Sequence, residues 1–405
     1  MPHLTLLSAD GVLTAAELNE APGYTRPDGP LRSRVAYAAA HVVPRTWADN
    51  TPGQPAEVDW DATLDFRRAV YSWGLGVADA MDTAQRNMGL DAAATRDLIA
   101  RSAQVAREEG GSVVVGVNTD HVDEERISID QVIDAYKQQL HFTEEQGAGP
   151  VLMASRHLAR VAESAADYRR VYREVLHAAT TPVVLHWLGT AFDPVLDGYF
   201  GSTDWREAST VLLDIIEENV DKIAGVKMSL LDAASEVSVR ERLPESVRMF
   251  TGDDFNYVGL IGGADVPEAR QPERDAGSSR QHSDALLGAF AAITPVASAA
   301  IQALDAGDPA RYLEILSPTE ELSRQVFAAP TFYYKTGVAF LSWLNGHQPA
   351  FQMVGGLHSA RSLPHLSRIV ELANASLALE QPELAAIRWH GMLRHNGIDV
   401  PGVIA

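Results

Sequence analysis

The chain predicts an α/β fold, a (β/α)8 TIM barrel followed by a C-terminal helical extension, on three observations. Eight short apolar runs, rich in β-branched residues, alternate with longer amphipathic stretches between residues 34 and 291. Most of these runs are apolar throughout rather than at every second position, the pattern of parallel strands covered by helices. Their starts lie 24 to 41 residues apart, and eight such units in about 260 residues suit a closed barrel better than an open sheet.

Taken in order, residues 1–30 form an N-terminal extension. It holds a hairpin-like piece from Leu4 to Leu13, turning at Asp10-Gly11, and then a Gly/Pro-rich linker. The barrel spans 31–292. Its expected strands are Arg34–Val43, Leu75–Ala80, Ser112–Val117, Gly149–Ala154, Pro182–Leu188, Ile223–Ser229, Val247–Thr251 and Asp284–Ala291. Helices are expected over Trp60–Trp73, Asp91–Glu109 (Asp91 as N-cap), Ile129–Gln146, Ala165–Ala179 and Trp205–Asn219. The extension, 293–405, reads as helices over Ile293–Ala306, Pro309–Phe327, Phe332–Asn345, Leu363–Leu379 and Pro382–His395. The polar stretch 263–282 lacks periodicity and is expected to be a long loop, either a lid or disordered.

Composition narrows the function. The 405 residues are 46% apolar and carry a net charge of -21, which argues against nucleic acid and anionic membrane surfaces as partners. There is no cysteine, so disulfides, thiolate metal sites and cysteine nucleophiles are excluded. No run approaches a membrane span, and the start lacks the pattern of a secretory signal, so a cytoplasmic location is expected. No Gly-x-Gly-x-x-Gly fingerprint or P-loop supports a nucleotide cofactor.

Lysine is scarce, occurring only at Lys137, Lys222, Lys227 and Lys335. Lys227 lies inside the apolar strand Ile223-Ala-Gly-Val-Lys-Met-Ser. Loss of hydration disfavours an ammonium there and lowers its pKa, which prepares a neutral amine to attack a carbonyl. The same strand would also suit a lysine whose stem packs inside while its head emerges at the strand end. Barrel enzymes carry their chemistry where strands run out. That rule selects Asp79, Asp82 and Thr83 after the second strand, and Asn118, Asp120 and His121 after the third. It selects Ser155, Arg156 and His157 after the fourth, His186 on the fifth, and Asp253 and Asp254 after the seventh, with His282 ahead of the eighth, of interest only if the 263–282 loop is a lid. Each aspartate alone also suits a cap or turn, and His186, within Val-Val-Leu-His-Trp, also suits a hydrogen-bonded core histidine.

The ordered set of motifs resembles the dihydrodipicolinate synthase / N-acetylneuraminate lyase family of class I aldolases. Gly225-Val226-Lys227 is similar to that family's Schiff-base strand, and Gly252-Asp253-Asp254 to its Gly-Asn/Asp-Asp turn. Thr181-Pro182-Val183-Val184-Leu185-His186 is similar to its fifth strand, and Asp305-Ala306-Gly307-Asp308 to a turn between its C-terminal helices. Ala329-Pro330 with Lys335 is similar to its later helix. The likeness runs from about residue 34 to 345. It implies an imine on Lys227 with no separate cofactor, a small carbonyl substrate, and a homodimer or homotetramer. By the resemblance His186 takes the place of a proton-relaying tyrosine, and Thr83 is the one match to the Gly-Thr-Thr-Gly-Glu carboxylate loop, here Asp82-Thr83-Ala84-Gln85-Arg86. With two glycines gone and Asp79 and Asp82 nearby, a neutral polyol or keto-sugar suits the site better than pyruvate. A carboxylate clamp from Arg86 or Arg156 keeps 2-oxo acids open.

The leading expectation is a Schiff-base lyase with Lys227, His186 and Thr83 in catalysis. Asp79, Asp82, Asn118, Asp120, His121, His157 and Asp253 would bind substrate. One alternative is a barrel lyase or isomerase holding a divalent metal on strand-end Asp and His residues. Another is a non-catalytic ligand-binding barrel. Phe332-Tyr333-Tyr334 and Phe340-Leu-Ser-Trp343 are expected to be core, and the extension to serve self-association.

Overall fold

Eight parallel strands pair in sequence order and close on themselves. In the computed structural model, which describes residues 3–266 and 281–400, they are β3 (Ala36–Ala39), β4 (Gly76–Asp79), β5 (Val113–Val117), β6 (Gly149–Met153), β7 (Val183–Leu188), β8 (Ile223–Ser229), β9 (Arg248–Thr251) and β10 (Asp284–Leu287). Closure is made by β10, which pairs with β9 through Asp284 and Phe250 and with β3 through Ala285 and Ala36. Side-chain alternation sorts each strand into two faces. Ala39, Ala78, Val114, Val151, Met153, Val184, Phe250 and Leu286 pack together inside the barrel. Val226 and Met228 turn outward onto a layer that includes Leu212, Ile215 and Ile216 of the helix Trp205–Glu218. The strand runs are apolar because both faces are covered.

The helices begin where capping chemistry places them. Asp59 accepts from Ala62 N ahead of Trp60–Ser72, Asp91 from Ala94 N ahead of Ala92–Glu109, and Ser128 forms a reciprocal box with Gln131. The first barrel helix holds an ion pair against the sheet. Arg67 donates to Asp79 through two nitrogens at 3.0 and 2.8 Å, and both side chains are fully buried.

Three expected elements differ. The strand expected over Asp284–Ala291 ends at Leu287 and gives way after Gly288 to the short helix Ala289–Ala292. The first barrel strand is shorter than Arg34–Val43, pairing only over Ala36–Ala39. The helix expected over Pro309–Phe327 is two, Pro309–Leu316 and Thr319–Val326, because Pro318 has no N–H to continue the ladder. Most of the 263–282 loop lies outside the described residues; its start, Gly263–Asp265, is a single 3-10 turn.

The N-terminal hairpin pairs β1 (His3–Leu7) with β2 (Leu13–Glu17), Gly11 taking the positive φ its turn needs. It docks on the last helices. Thr5 N donates to His390 Nε2 at 3.0 Å, Trp389 Nε1 donates to Thr5 O at 2.7 Å, and Leu7 N donates to Ser367 Oγ at 2.7 Å. The edge of β1 is thereby covered by side chains of the extension. Among the described residues no helix is long and apolar enough to cross a membrane.

Candidate active site

Lys227 points into the barrel from β8, on the same face as Gly225 and Ser229, while Val226 and Met228 face the helices. It is 7% exposed and makes no hydrogen bond or ion pair among the described residues. Burial lowers its pKa, while Asp82 and Asp254 pull the other way. The stem lies tight against β9: a Cβ on Gly252 would come within 2.8 Å of Lys227 Cε and 2.1 Å of Ser229 Oγ. Gly252 is therefore what lets the lysine stem pass at this level of the barrel.

His186 is the register partner of Lys227 on the neighbouring strand. Its Nε2 pairs with Ser229 Oγ at 3.1 Å, and its buried Nδ1 has no partner. Burial, reinforced by the Lys227 charge, holds the imidazole well below its usual pKa, so the ring is neutral. Of the two aspartates after β9, Asp254 is the one in electrostatic reach of Lys227. It accepts from Ala289 N at 2.9 Å, and burial pushes it up to about 7. Asp253, expected to bind substrate, instead shapes the turn: it accepts from Phe255 N, Asn256 N and Asn256 Nδ2 at 2.9 to 3.1 Å.

Asp82 and Thr83 open the loop after β4. Thr83 Oγ1 pairs at 2.7 Å with the hydroxyl of Tyr334, a residue of the helix Tyr334–Leu344. The Tyr334 ring stacks on Phe327, 4.4 Å between centroids, and meets Phe192 edge-on. Tyr334 is thus more than core: its hydroxyl reaches the loop that carries Asp82. Lys335 follows it, buried, with Nζ 3.1 Å from Met88 Sδ. The reading of the extension as an association surface left both residues out of the site. The available signal was the second lysine set in an apolar helix.

A cavity of about 200 Å³ opens at the C-terminal ends of β4 to β7. Asp82, Asn118, Asp120, Arg156, His157 and Asp193 are among the residues lining it. Arg156 Nε donates to Asp193 at 2.6 Å and remains partly exposed. A larger hollow lined by Tyr37, Pro150, Pro182, Phe250 and Leu286 lies at the opposite, N-terminal end of the barrel, away from the strand ends that carry chemistry in this fold.

Several expected site residues are committed elsewhere. Asp79 faces out of the barrel into the Arg67 pair, so it does not meet substrate. Arg86 is unavailable as a carboxylate clamp: it donates to Ala80 O, Gly116 O and Gln139 Oε1 and forms a forked pair with Asp120. His157 lines the cavity but has both ring nitrogens paired, Nδ1 with Thr119 Oγ1 and Nε2 with Glu124 O. His121 bonds Gln138 and Gln139 and lines a separate pocket between the helices Ala92–Glu109 and Ile129–Glu145. His282 stands before β10, at the far end of the barrel, with Arg34 and Asp265 among its charged neighbours. The strand-end Asp and His residues do not converge. Among the described residues no three His, Asp or Glu side chains are grouped to hold a metal ion, so the donor set does not fit the metal-dependent alternative.

Solved structures share this architecture. Dihydrodipicolinate synthase from Aquifex aeolicus is 14% identical, with a TM-score of 0.61 over 86% of this chain and 100% of its own. The 4-hydroxy-tetrahydrodipicolinate synthase of Methylacidiphilum fumariolicum SolV is 13% identical, with a TM-score of 0.60 over 89% and 98%. Dihydrodipicolinate synthase from Bacteroides thetaiotaomicron is 13% identical, with a TM-score of 0.59 over 83% and 98%. At these identities the likeness is one of fold. No curated protein matches the sequence. With its match running over residues 4–398, the chain belongs to the family described as protein of unknown function (DUF993), and its fold is similar to that of dihydrodipicolinate synthase.

Proposed function

We propose that the protein is a Schiff-base-forming lyase of the aldolase kind, acting on a small carbonyl compound through Lys227. The observation that carries this reading is the buried amine of Lys227, unpaired among the described residues and flanked by Asp82 and Asp254. A charged lysine in that position would be costly without a partner, whereas a neutral one is a nucleophile.

The neutral amine adds to the substrate carbonyl carbon, the carbonyl π pair moves to oxygen, and the oxygen takes a proton as the nitrogen gives one up. The resulting carbinolamine loses that oxygen as water after a second proton arrives, leaving a protonated imine on Lys227. The imine then draws in the electron pair of a neighbouring C–C or C–H bond and becomes an enamine. Neutral His186, beside the lysine, passes protons to and from the departing oxygen. Asp254, pushed up to about 7, can both hold and release a proton near neutrality. Thr83 and Tyr334 form a hydroxyl pair at the same loop and relay protons toward it.

Asp82, Asn118 and Asp193 give the cavity acceptors and an amide for hydroxyl groups, which favours a keto-sugar or related polyol. With Arg86 committed, Arg156 and Arg160 are the cations that line the cavity for a 2-oxo acid, paired with Asp193 and Glu125 respectively. The test is reductive trapping. Borohydride added with a panel of keto-sugars and 2-oxo acids should leave a mass adduct on Lys227 with any compound that turns over. Turnover undiminished in Lys227→Ala would end the proposal.

A further inference from the structure

Ser229 closes β8 two residues beyond Lys227, on the same inward face. It is buried, and a glycine on each neighbouring strand end leaves room for it. Gly189 N, just past β7, donates to Ser229 O at 3.0 Å, and a Cβ on Gly189 would come within 2.8 Å of that oxygen. Gly252, just past β9, is the tighter of the two. The Cβ it lacks would lie 2.1 Å from Ser229 Oγ and 2.8 Å from Lys227 Cε. Two atoms that close to one point are close to each other, so the serine hydroxyl stands beside the end of the lysine. Its other neighbour is His186, whose Nε2 is 3.1 Å from Ser229 Oγ. The second ring nitrogen, Nδ1, is buried and without a partner among the described residues. Buried N–H groups without an acceptor are rarer than buried acceptors without a donor, so the imidazole proton belongs on Nε2 and is donated to Ser229 Oγ. Burial holds the ring neutral, so it carries no second proton. With one lone pair of Oγ taken up by His186, the serine hydrogen is directed away from the ring.

We propose that Ser229 is a catalytic residue: its hydroxyl carries the proton from nitrogen to oxygen when the Lys227 amine adds to a carbonyl, and His186 positions it. This rests on the Schiff-base reading of Lys227. Addition leaves the nitrogen with a positive charge and one proton too many, and the former carbonyl oxygen as an alkoxide. Ser229 Oγ takes the proton from nitrogen through its free lone pair while its own hydrogen passes to the alkoxide. The N–H bonding pair stays on nitrogen, and an alkoxide pair makes the new O–H bond. The product is the neutral carbinolamine, with the serine hydroxyl restored. His186 gains and loses no proton in this step; it serves the oxygen through the hydroxyl it holds.

Wild type, Ser229→Ala and Ser229→Thr are compared, with thermal unfolding as the check on folding. Dihydroxyacetone and pyruvate serve as probes. Samples are quenched with borohydride at successive times, and the adduct on Lys227 is followed by peptide mapping. The rate of adduct formation should fall at least about hundredfold in Ser229→Ala and return to within about tenfold of wild type in Ser229→Thr, which keeps the hydroxyl. Given time, all three should reach the same yield, because a relay changes the rate of imine formation and not its equilibrium. A second readout needs no substrate. The nitrogen NMR spectrum of protein carrying isotopically labelled histidine, with His186 assigned by its loss in His186→Gln, should show the proton on Nε2 and a bare Nδ1. Wild-type rate in Ser229→Ala, no recovery in a folded Ser229→Thr, a yield that falls with the rate, or a proton on Nδ1 overturns the inference and leaves the Lys227 imine standing. No adduct on Lys227 with either probe, in wild type, removes the Schiff-base reading and this inference with it. Where one variant does not fold, the other variant and the wild-type spectrum decide.

Discussion

His186 and Lys227 are register partners on adjacent strands, the imidazole anchored on Ser229 and the amine without an acidic contact. The Lys227 charge disfavours the charged form of His186, and burial acts on both groups in the same direction. Burial of both groups therefore comes at a cost in stability. Replacing Lys227 by methionine, which has a similar volume and no desolvated amine, should abolish turnover and the borohydride adduct. It should also raise unfolding stability by about 1–2 kcal/mol. Urea unfolding of Lys227→Met beside wild type checks the second half; a less stable variant would mean the amine has a partner that steadies it.

The hydroxyl pair of Thr83 and Tyr334 should behave as one unit. Tyr334→Phe is expected to lower kcat about hundredfold while leaving the trapped adduct on Lys227 intact, since the ring and its stacking remain. Thr83→Val should cost a similar factor, and the double variant little more than the worse single one. Steady-state rates of the three variants measure this, and additive losses would separate the two hydroxyls.

The Arg67–Asp79 pair is fully buried and belongs to the joint between sheet and helix. Asp79→Ala leaves Arg67 charged in an apolar layer and should cost about 3–5 kcal/mol of stability. Replacing both, Arg67→Met with Asp79→Leu, should cost markedly less than Asp79→Ala alone. Chemical unfolding of the single and double variants tests it, and KM in the surviving folded variants should be unchanged.

His41 supplies a pH dependence with a definite sign. It is buried at the end of β3, hydrogen-bonded to Gln348, with Arg67, His347 and Asp79 as charged or titratable neighbours. Burial first, and Arg67 next, lower its pKa to about 3. A folded pKa below the unfolded value of about 6.5 means the neutral ring contributes fully above that pH. Stability should then fall as pH drops from about 6.5 toward 3, by up to about 1.4 kcal/mol per pH unit. His41→Gln should show a shallower loss over the same range in urea midpoints measured at successive pH values.

What could be read from the residues alone follows from how far each interaction reaches along the chain. The strands Val113–Val117 and Val183–Leu188 announce themselves because a parallel barrel strand is apolar on both faces. Lys227 stands out because so few lysines occur and one lies in such a run. Asp79 was misplaced because a strand end points inward or outward by a single residue of register. Its partner was nonetheless visible: Arg67 shares the buried face of its helix with Thr63, Phe66 and Val70. Tyr334 and Lys335 were not legible as site residues. Their contacts to Thr83 and Met88 span about 250 positions, and no local pattern encodes a contact at that range.

The clasp between the hairpin and the final helices sets the order in which this molecule can be finished. Thr5 and Leu7 leave the ribosome ahead of Ser367, Trp389 and His390 by the whole length of the barrel. Until those helices follow, the earliest strand has no mate for its outer edge, and the mouth still lacks the hydroxyl and amine that arrive on the helix Tyr334–Leu344. A ring of eight strands can close during synthesis, but a competent cleft exists only once nearly all of the polypeptide is free to fold.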